Sequence, residues 1–289
     1  MVVGVVAFRA LVLREFLGSV DLARRELADH LSAGSATLGI VAASVLVASA
    51  LARLVTQSVA MHGEFSVSLS GAMLVHSSWG ASWLLQTVAA LGTLLALFAA
   101  RRGSRAAWLV ASSASLVLAA TPALSGHALA SPRLTVLAVI ADAVHVLGAG
   151  IWLGSLLTLL VVGLPAAVRL PAGERGPAAA DLVNGFSTTA LAGAALLVAT
   201  GVFAAWLHLG SFSALWRSSY GRVLIAKLAV LCALIATGAY NWRRVRPAMS
   251  DEVGPRRLRR SATLELVVGA IVVAITAVLV ALPTPVDLT

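Results

Sequence analysis

Seven stretches of this chain are each long and apolar enough to cross a lipid bilayer, near residues 33–60, 73–100, 106–124, 134–163, 185–208, 222–242 and 261–282. A spanning helix takes roughly 20 mostly apolar residues. The breaks between them carry glycine, proline or charge: "HGEF", "RRGSR", "SGHALASPR", "LPAGERGP", "LGSFS" and "RRVRPAMSDEVGPRRLRR". No strand-like alternation runs through the apolar stretches, and a helix in lipid satisfies its backbone polar groups internally. The fold expected is all-α: a polytopic membrane helix bundle with seven clear transmembrane helices and a short N-terminal helix.

Composition points the same way. Of the 289 residues, 60% are hydrophobic and 11% charged, with a mean hydropathy of +0.95. Soluble domains carry about 25% charged residues, and a soluble fold of this length cannot hide so much apolar surface. The opening stretch, "MVVGVVAFRALVLREFLG", is too short and too charged to be read as a span. It reads either as an interfacial helix or as the tail of an eighth helix. Residues 1–32 are therefore taken as an amphipathic, cytoplasmic N-terminal segment and 33–283 as the transmembrane bundle. No cleavable signal peptide is expected, because Arg9, Arg14 and Glu15 interrupt the first 17 residues.

A net charge of +9 and a pI near 11.4 raise the question of nucleic acid. The placement of the charge answers it. Counting alternate loops, one side collects Arg9, Arg14, Arg24, Arg25, Arg101, Arg102, Arg105, Arg169, Arg175 and the seven arginines between 243 and 260. The other side holds Arg133, Arg217 and Arg222. Positive charge marks the cytoplasmic side. The basic pI is thus a topology signal, no nucleic-acid partner is expected, and the C-terminus is placed outside. Cys232 is the single cysteine, inside an apolar run, which excludes a disulfide framework or a CxxC metal site.

On that topology His30 is cytoplasmic, whereas His62, His76, His127 and His208 fall at the outer ends of spans or in outer loops. His145 stands about 11 residues into the fourth span, roughly 16 Å down. Met61 and Met73 are at the outer end, and Met73 and His76 are spaced to share a helix face. Imidazole and thioether together suit copper, Cu(I) above all. Each outer histidine is equally compatible with a neutral place at the interface, and each methionine with packing. His145 is different, since an ionisable residue deep in a span is costly and usually functional. Asp142, one turn away, either fixes its tautomer or pairs with Lys227 at similar depth. Trp152 lies seven residues on, near the same face, and Gly150 and Gly154 form a GxxxG spacing that permits close helix approach. Below His145 ligands are few: Cys232, Asn241 and Glu265.

The stretch from about 120 to 283 resembles the CopD family of bacterial copper-resistance membrane proteins. The pieces that carry the resemblance are "SGHA" at 125–128, "DAVHVLGAGIWLGS" at 142–155, "FSTTALAGAALLVATGVFAAWLHLGS" at 186–211, "SYGRVLIAKLAVL" at 219–231, "YNWRRVRP" at 240–247 and "ATLELVVGA" at 262–270. The first 120 residues match only as hydrophobic helices, and the family's usual eight helices make the short N-terminus a departure. The resemblance implies a bacterial cytoplasmic (inner) membrane protein that takes up copper, as Cu(I) or Cu(II), from the periplasmic side. It also implies a periplasmic copper chaperone of the CopC type as partner. His127 and His145 fall in the family's histidine motifs, with Asp142 and Trp152 beside the latter. His76, His208 and Met73 join them on topology and ligand chemistry alone, and a homodimer is a further expectation.

A rival reading is an oxidoreductase. A histidine followed by "W.G" on one helix, and a lysine in "KL" on a later one, is similar to the membrane-bound, haem-binding protoporphyrinogen oxidase family. Haem b needs an axial ligand such as histidine, and here only His145 is deep, which disfavours a bis-histidine site. No catalytic residue is assigned, and a transport or binding protein is expected rather than an enzyme.

Overall fold

The computed structural model describes residues 1–19, 21–124, 134–240, 243 and 254–288. Among them the regular structure is helical: α1 (Val2–Val12), α2 (Leu22–His62), α3 (Val67–His76), α4 (Ser78–Arg101), α5 (Arg105–Ala120), α6 (Thr135–Val168), α7 (Ala172–Leu209), α8 (Ser219–Tyr240) and α9 (Gly254–Ala281). Six of these, α2, α4, α6, α7, α8 and α9, are long and apolar enough to cross a membrane. Large apolar side chains such as Val45, Leu95, Leu109 and Val202 stand exposed along the helices, where lipid tails are their natural solvent.

The helix boundaries depart from the sequence expectation in four places. The stretch expected to span 106–124 is a helix of 16 residues, shorter than a full crossing, and gives way to a turn after Ala120. The span expected from 73 is broken at Ser77, whose backbone is extended (φ −123°, ψ 150°). Ser77 Oγ accepts the Gly80 amide at 2.9 Å and donates to the Met73 carbonyl at 2.7 Å, so it caps α4 and ends α3 together. Met73 and His76 therefore belong to α3, not to the span. Lastly, α2 begins at Leu22 rather than near 33, and α7 at Ala172 rather than near 185. Asp21 caps α2 by accepting the Ala23 amide at 3.0 Å, and polar extensions of this kind carry no hydropathy signal.

Helices α2, α4 and α5 pack as one group, α6 pairs with α7, and α8 pairs with α9. The short α1 lies where the first two groups meet, against α2, α5 and α6. Val5, Phe8, Val12 and Leu13 are almost wholly buried, as is Phe16 just beyond. Phe8, Val12, Leu13 and Phe16 share a cluster with Leu156, Leu159 and Leu182 from α6 and α7, whereas Val5 packs against α4 and α5 with Leu97 and Trp108. Glycine makes the closest approaches. A Cβ on Gly4 of α1 would fall 2.2 Å from the Cα of Gly154, and one on Gly150 would fall 2.7 Å from Val3. The GxxxG of α6 is thus the seat of α1. Ser155 Oγ adds a hydrogen bond to the Gly4 carbonyl at 3.2 Å. Within α6 the turns Gly150–Gly154 and Leu159–Gly163 are widened to π geometry, a local feature often found near functional sites.

Helix direction gives the bundle two ends. One collects the starts of α2, α5 and α7 with Arg9, Arg24 and Arg105, and there Arg24 pairs with Asp181 at 2.9 Å. The other collects the ends of α2, α5 and α7 and the starts of α4, α6 and α8. Its contacts include Ser82 Oγ to the Leu124 carbonyl at 3.0 Å and the His208 ring against Tyr220.

Candidate functional site

The site is built on the α6–α7 pair. Gly148 and Gly193 let the two helices touch: a Cβ on either would lie 2.9 Å from the other's carbonyl oxygen. One turn along α6 towards the arginine-poor end comes His145, and two turns along α7 in the same direction comes Thr200. The close approach at the glycines brings the two side chains together, with His145 Nδ1 and Thr200 Oγ1 2.9 Å apart.

The chemistry of that bond fixes the ring. Thr200 Oγ1 lies 2.6 Å from the Leu196 carbonyl, an acceptor only, so its proton is committed there. The hydroxyl oxygen then accepts from Nδ1–H, a tautomer assigned by the hydrogen-bond network. Nε2 is left with its lone pair, the form in which imidazole binds a metal ion. The ring is half-buried, and Gly201 beside it keeps the space next to Cε1 open: a Cβ there would sit 3.7 Å away.

Two charges flank the ring. Asp142, one turn earlier on α6, and Lys227 on α8 are both half-buried and within electrostatic reach of one another, and Lys227 is within reach of His145. No direct ion pair joins Asp142 to Lys227, and the hydrogen bond that holds the imidazole comes from Thr200, not from Asp142. Opposite charges close to one another in a low-dielectric setting offset each other's cost.

The other predicted residues are placed as follows. Met73 is buried, 7% exposed, whereas His76 at the end of the same helix is exposed. His208 is half-buried with its ring centroid 6.3 Å from that of Tyr220, edge to face. His127 lies outside the described residues. Trp152 is buried with Leu156 and Leu159, and lines a cavity of about 260 Å³ between α6, α7, α8 and α9 that also holds Glu265. Among the described residues no three of His, Cys, Asp and Glu converge as a ligand set. The structure thus brings His145, Thr200, Asp142 and Lys227 into one neighbourhood and puts Trp152 in the adjoining core. Thr200 escaped the sequence reading. The signal for it is depth: counted from Thr135 and Leu209, where their helices end, His145 and Thr200 stand at nearly the same level.

Residues 1–132 match the family model described as copper resistance protein D-like, N-terminal domain, so the N-terminal half resembles this family beyond its hydropathy. Residues 180–279 match the model described as copper resistance protein D. The copper transport protein CutJ of Bacillus subtilis (strain 168) is 28% identical over 218 residues, which is 73% of this chain and 38% of that protein. This chain therefore spans well under half the length of that relative. No solved structure matches the chain. The matches are to copper proteins, and the haem reading draws no support from them. A multi-pass helical membrane protein matched in both its N-terminal half and its C-terminal bundle, the chain belongs to the CopD family of copper resistance proteins.

Proposed function

We propose that this protein binds copper as its cargo from the arginine-poor end of the bundle, with His145 as the innermost ligand of the entry path. The observation that carries the reading is the His145–Thr200 hydrogen bond of 2.9 Å, which leaves Nε2 free as a nitrogen donor inside a helix pair. His127, His76, His208 and Met73 are the capture ligands nearer the surface, imidazoles and a thioether that suit Cu(I) and, for the nitrogens, Cu(II). Asp142 supplies negative charge beside the ligand, offsetting both an incoming cation and Lys227. Lys227 in turn opposes passage of a second cation.

In this reading the arginine-rich end faces the cytoplasm, the membrane is the bacterial inner membrane, and the C-terminus lies outside. Copper then arrives from the periplasm, where a chaperone of the CopC type is the partner that delivers it. A second copy of the chain is a further partner in this reading. The name of CutJ, a copper transport protein, supports transfer over static binding.

The test is copper binding by the purified chain, measured by competition with a chromogenic Cu(I) chelator. Wild-type protein is expected to withhold copper from the chelator, and His145→Ala, folded and monodisperse, to surrender it. Equal retention by the two proteins would remove His145 from the path.

A further inference from the structure

A second site stands at the arginine-rich end, where α1 seats Arg9 against the start of α5. The Arg9 guanidinium lies over the Trp108 ring, with Cζ 4.7 Å from its centroid. Val5 and Val6, one turn earlier, are packed with Ala100, Ala107, Trp108 and Ala111, so buried contacts fix where Arg9 emerges. Its Nε is buried and makes no hydrogen bond among the described residues. Arg105, exposed at the first turn of α5, is within electrostatic reach of Arg9, and so is one acid, Asp29 on α2. Arg101 and Arg102, exposed at the end of α4, add to the surplus.

Two arginines within electrostatic reach of one another, with Asp29 as the acid that acts on Arg9, leave positive charge in excess at this turn, and the stacking on Trp108 with Nε turned inward leaves the Nη end of Arg9 to meet an anion. The next residues of α5 say which kind. Leu109 and Val110 are 72% and 54% exposed, an apolar surface continuing from the charged turn along the helix. A ligand fitting both has an anionic head and an acyl tail. We propose that Arg9 and Arg105 form a binding site for the phosphate of an anionic phospholipid, with Trp108 as the platform under Arg9 and the Leu109–Val110 surface as the bed of its acyl chain. Basic pockets between helices at a membrane surface bind such headgroups by charge and bidentate hydrogen bonding.

The full chain in detergent micelles is titrated with phosphatidylglycerol, phosphatidylcholine or inorganic phosphate. Bound lipid is read by native mass spectrometry and the unfolding temperature by scanning fluorimetry. Wild-type protein is expected to retain phosphatidylglycerol through delipidation and to gain thermal stability from it, and to respond little to the other two. Arg9→Gln/Arg105→Gln should weaken retention on the order of tenfold or more and lose most of the thermal gain. Arg105→Gln alone, a change at an exposed position, should lose part of both, and it carries the test if the double variant does not fold. Arg217→Gln, at the opposite end, should behave as wild type. Equal retention by wild type and the Arg105 variant, or equal retention of phosphatidylcholine, would overturn the site. Stabilisation by inorganic phosphate matching that by phosphatidylglycerol would overturn the lipid as its ligand.

Discussion

Gly4 and Gly154 meet backbone to backbone, so closely that a Cβ on the first would lie 2.2 Å from the Cα of the second. Through that contact α1 is wedged against the helix that carries His145. A side chain at either position must push the two apart. Gly154→Leu and Gly4→Val are each expected to lower the unfolding temperature by several degrees, in line with about 1–3 kcal/mol for overpacking a tight contact. Gly92→Ala, where a Cβ meets nothing within 4 Å, is the control and should leave it unchanged or slightly raised.

Thr200 holds the imidazole by one bond, so removing its hydroxyl tests orientation apart from ligation. Thr200→Val keeps the shape and frees Nδ1. Chelator competition should show copper affinity falling on the order of 10–100-fold, the usual cost of losing a group that orients a metal-binding histidine. Thr200→Ser should restore most of it. Val and Ser variants binding equally well would show that the bond does not matter to copper.

Asp142 and Lys227 share a half-buried neighbourhood without touching. Neutralising one leaves the other's charge uncompensated. Asp142→Asn and Lys227→Met should each reduce yield and thermal stability, and the double variant should recover a good part of the loss. The coupling is read as a double-mutant cycle on unfolding free energy. Additive losses would mean that the two charges do not offset one another.

Trp152 separates packing from ligand chemistry. It is buried among Leu156 and Leu159, so Trp152→Ala should cost about 3–5 kcal/mol of stability. Protein that remains folded should keep its copper stoichiometry. His30→Ala, exposed on the first part of α2 at the arginine-rich end, should change neither stability nor copper binding, and a loss of copper there would reverse the proposed sidedness.

How far the chain could be read in advance depended on the kind of signal. Asp142, His145 and Lys227 stood out because ionisable groups in apolar runs are rare. Thr200 did not, because hydroxyls in such runs usually bond their own helix: Thr87, Thr93, Ser115 and Ser187 all donate to the carbonyl four residues back. Nothing local marks the one that also serves a histidine on another helix. The break at Ser77 was hidden by apolar residues on both sides of it. The burial of α1 was masked by Arg9, Arg14 and Glu15, whose charges suggest an interface. The spacing of Val5, Phe8, Val12 and Phe16, recurring every three or four residues, was the available clue to a buried face.

The two longest helices have a mechanical consequence. At 41 and 38 residues, α2 and α7 measure roughly 60 Å each, about twice the thickness of the hydrocarbon layer. Their polar leading turns carry Arg24, Arg25, Glu174 and Asp181, which favour water over tilting into the bilayer. Leu27 and Leu31 of α2 and Ala178 and Leu182 of α7 are buried in one cluster at this end, so the two long helices are braced to each other there by packing, with the Arg24–Asp181 pair beside it and Pro177 as the point where α7 bends most readily.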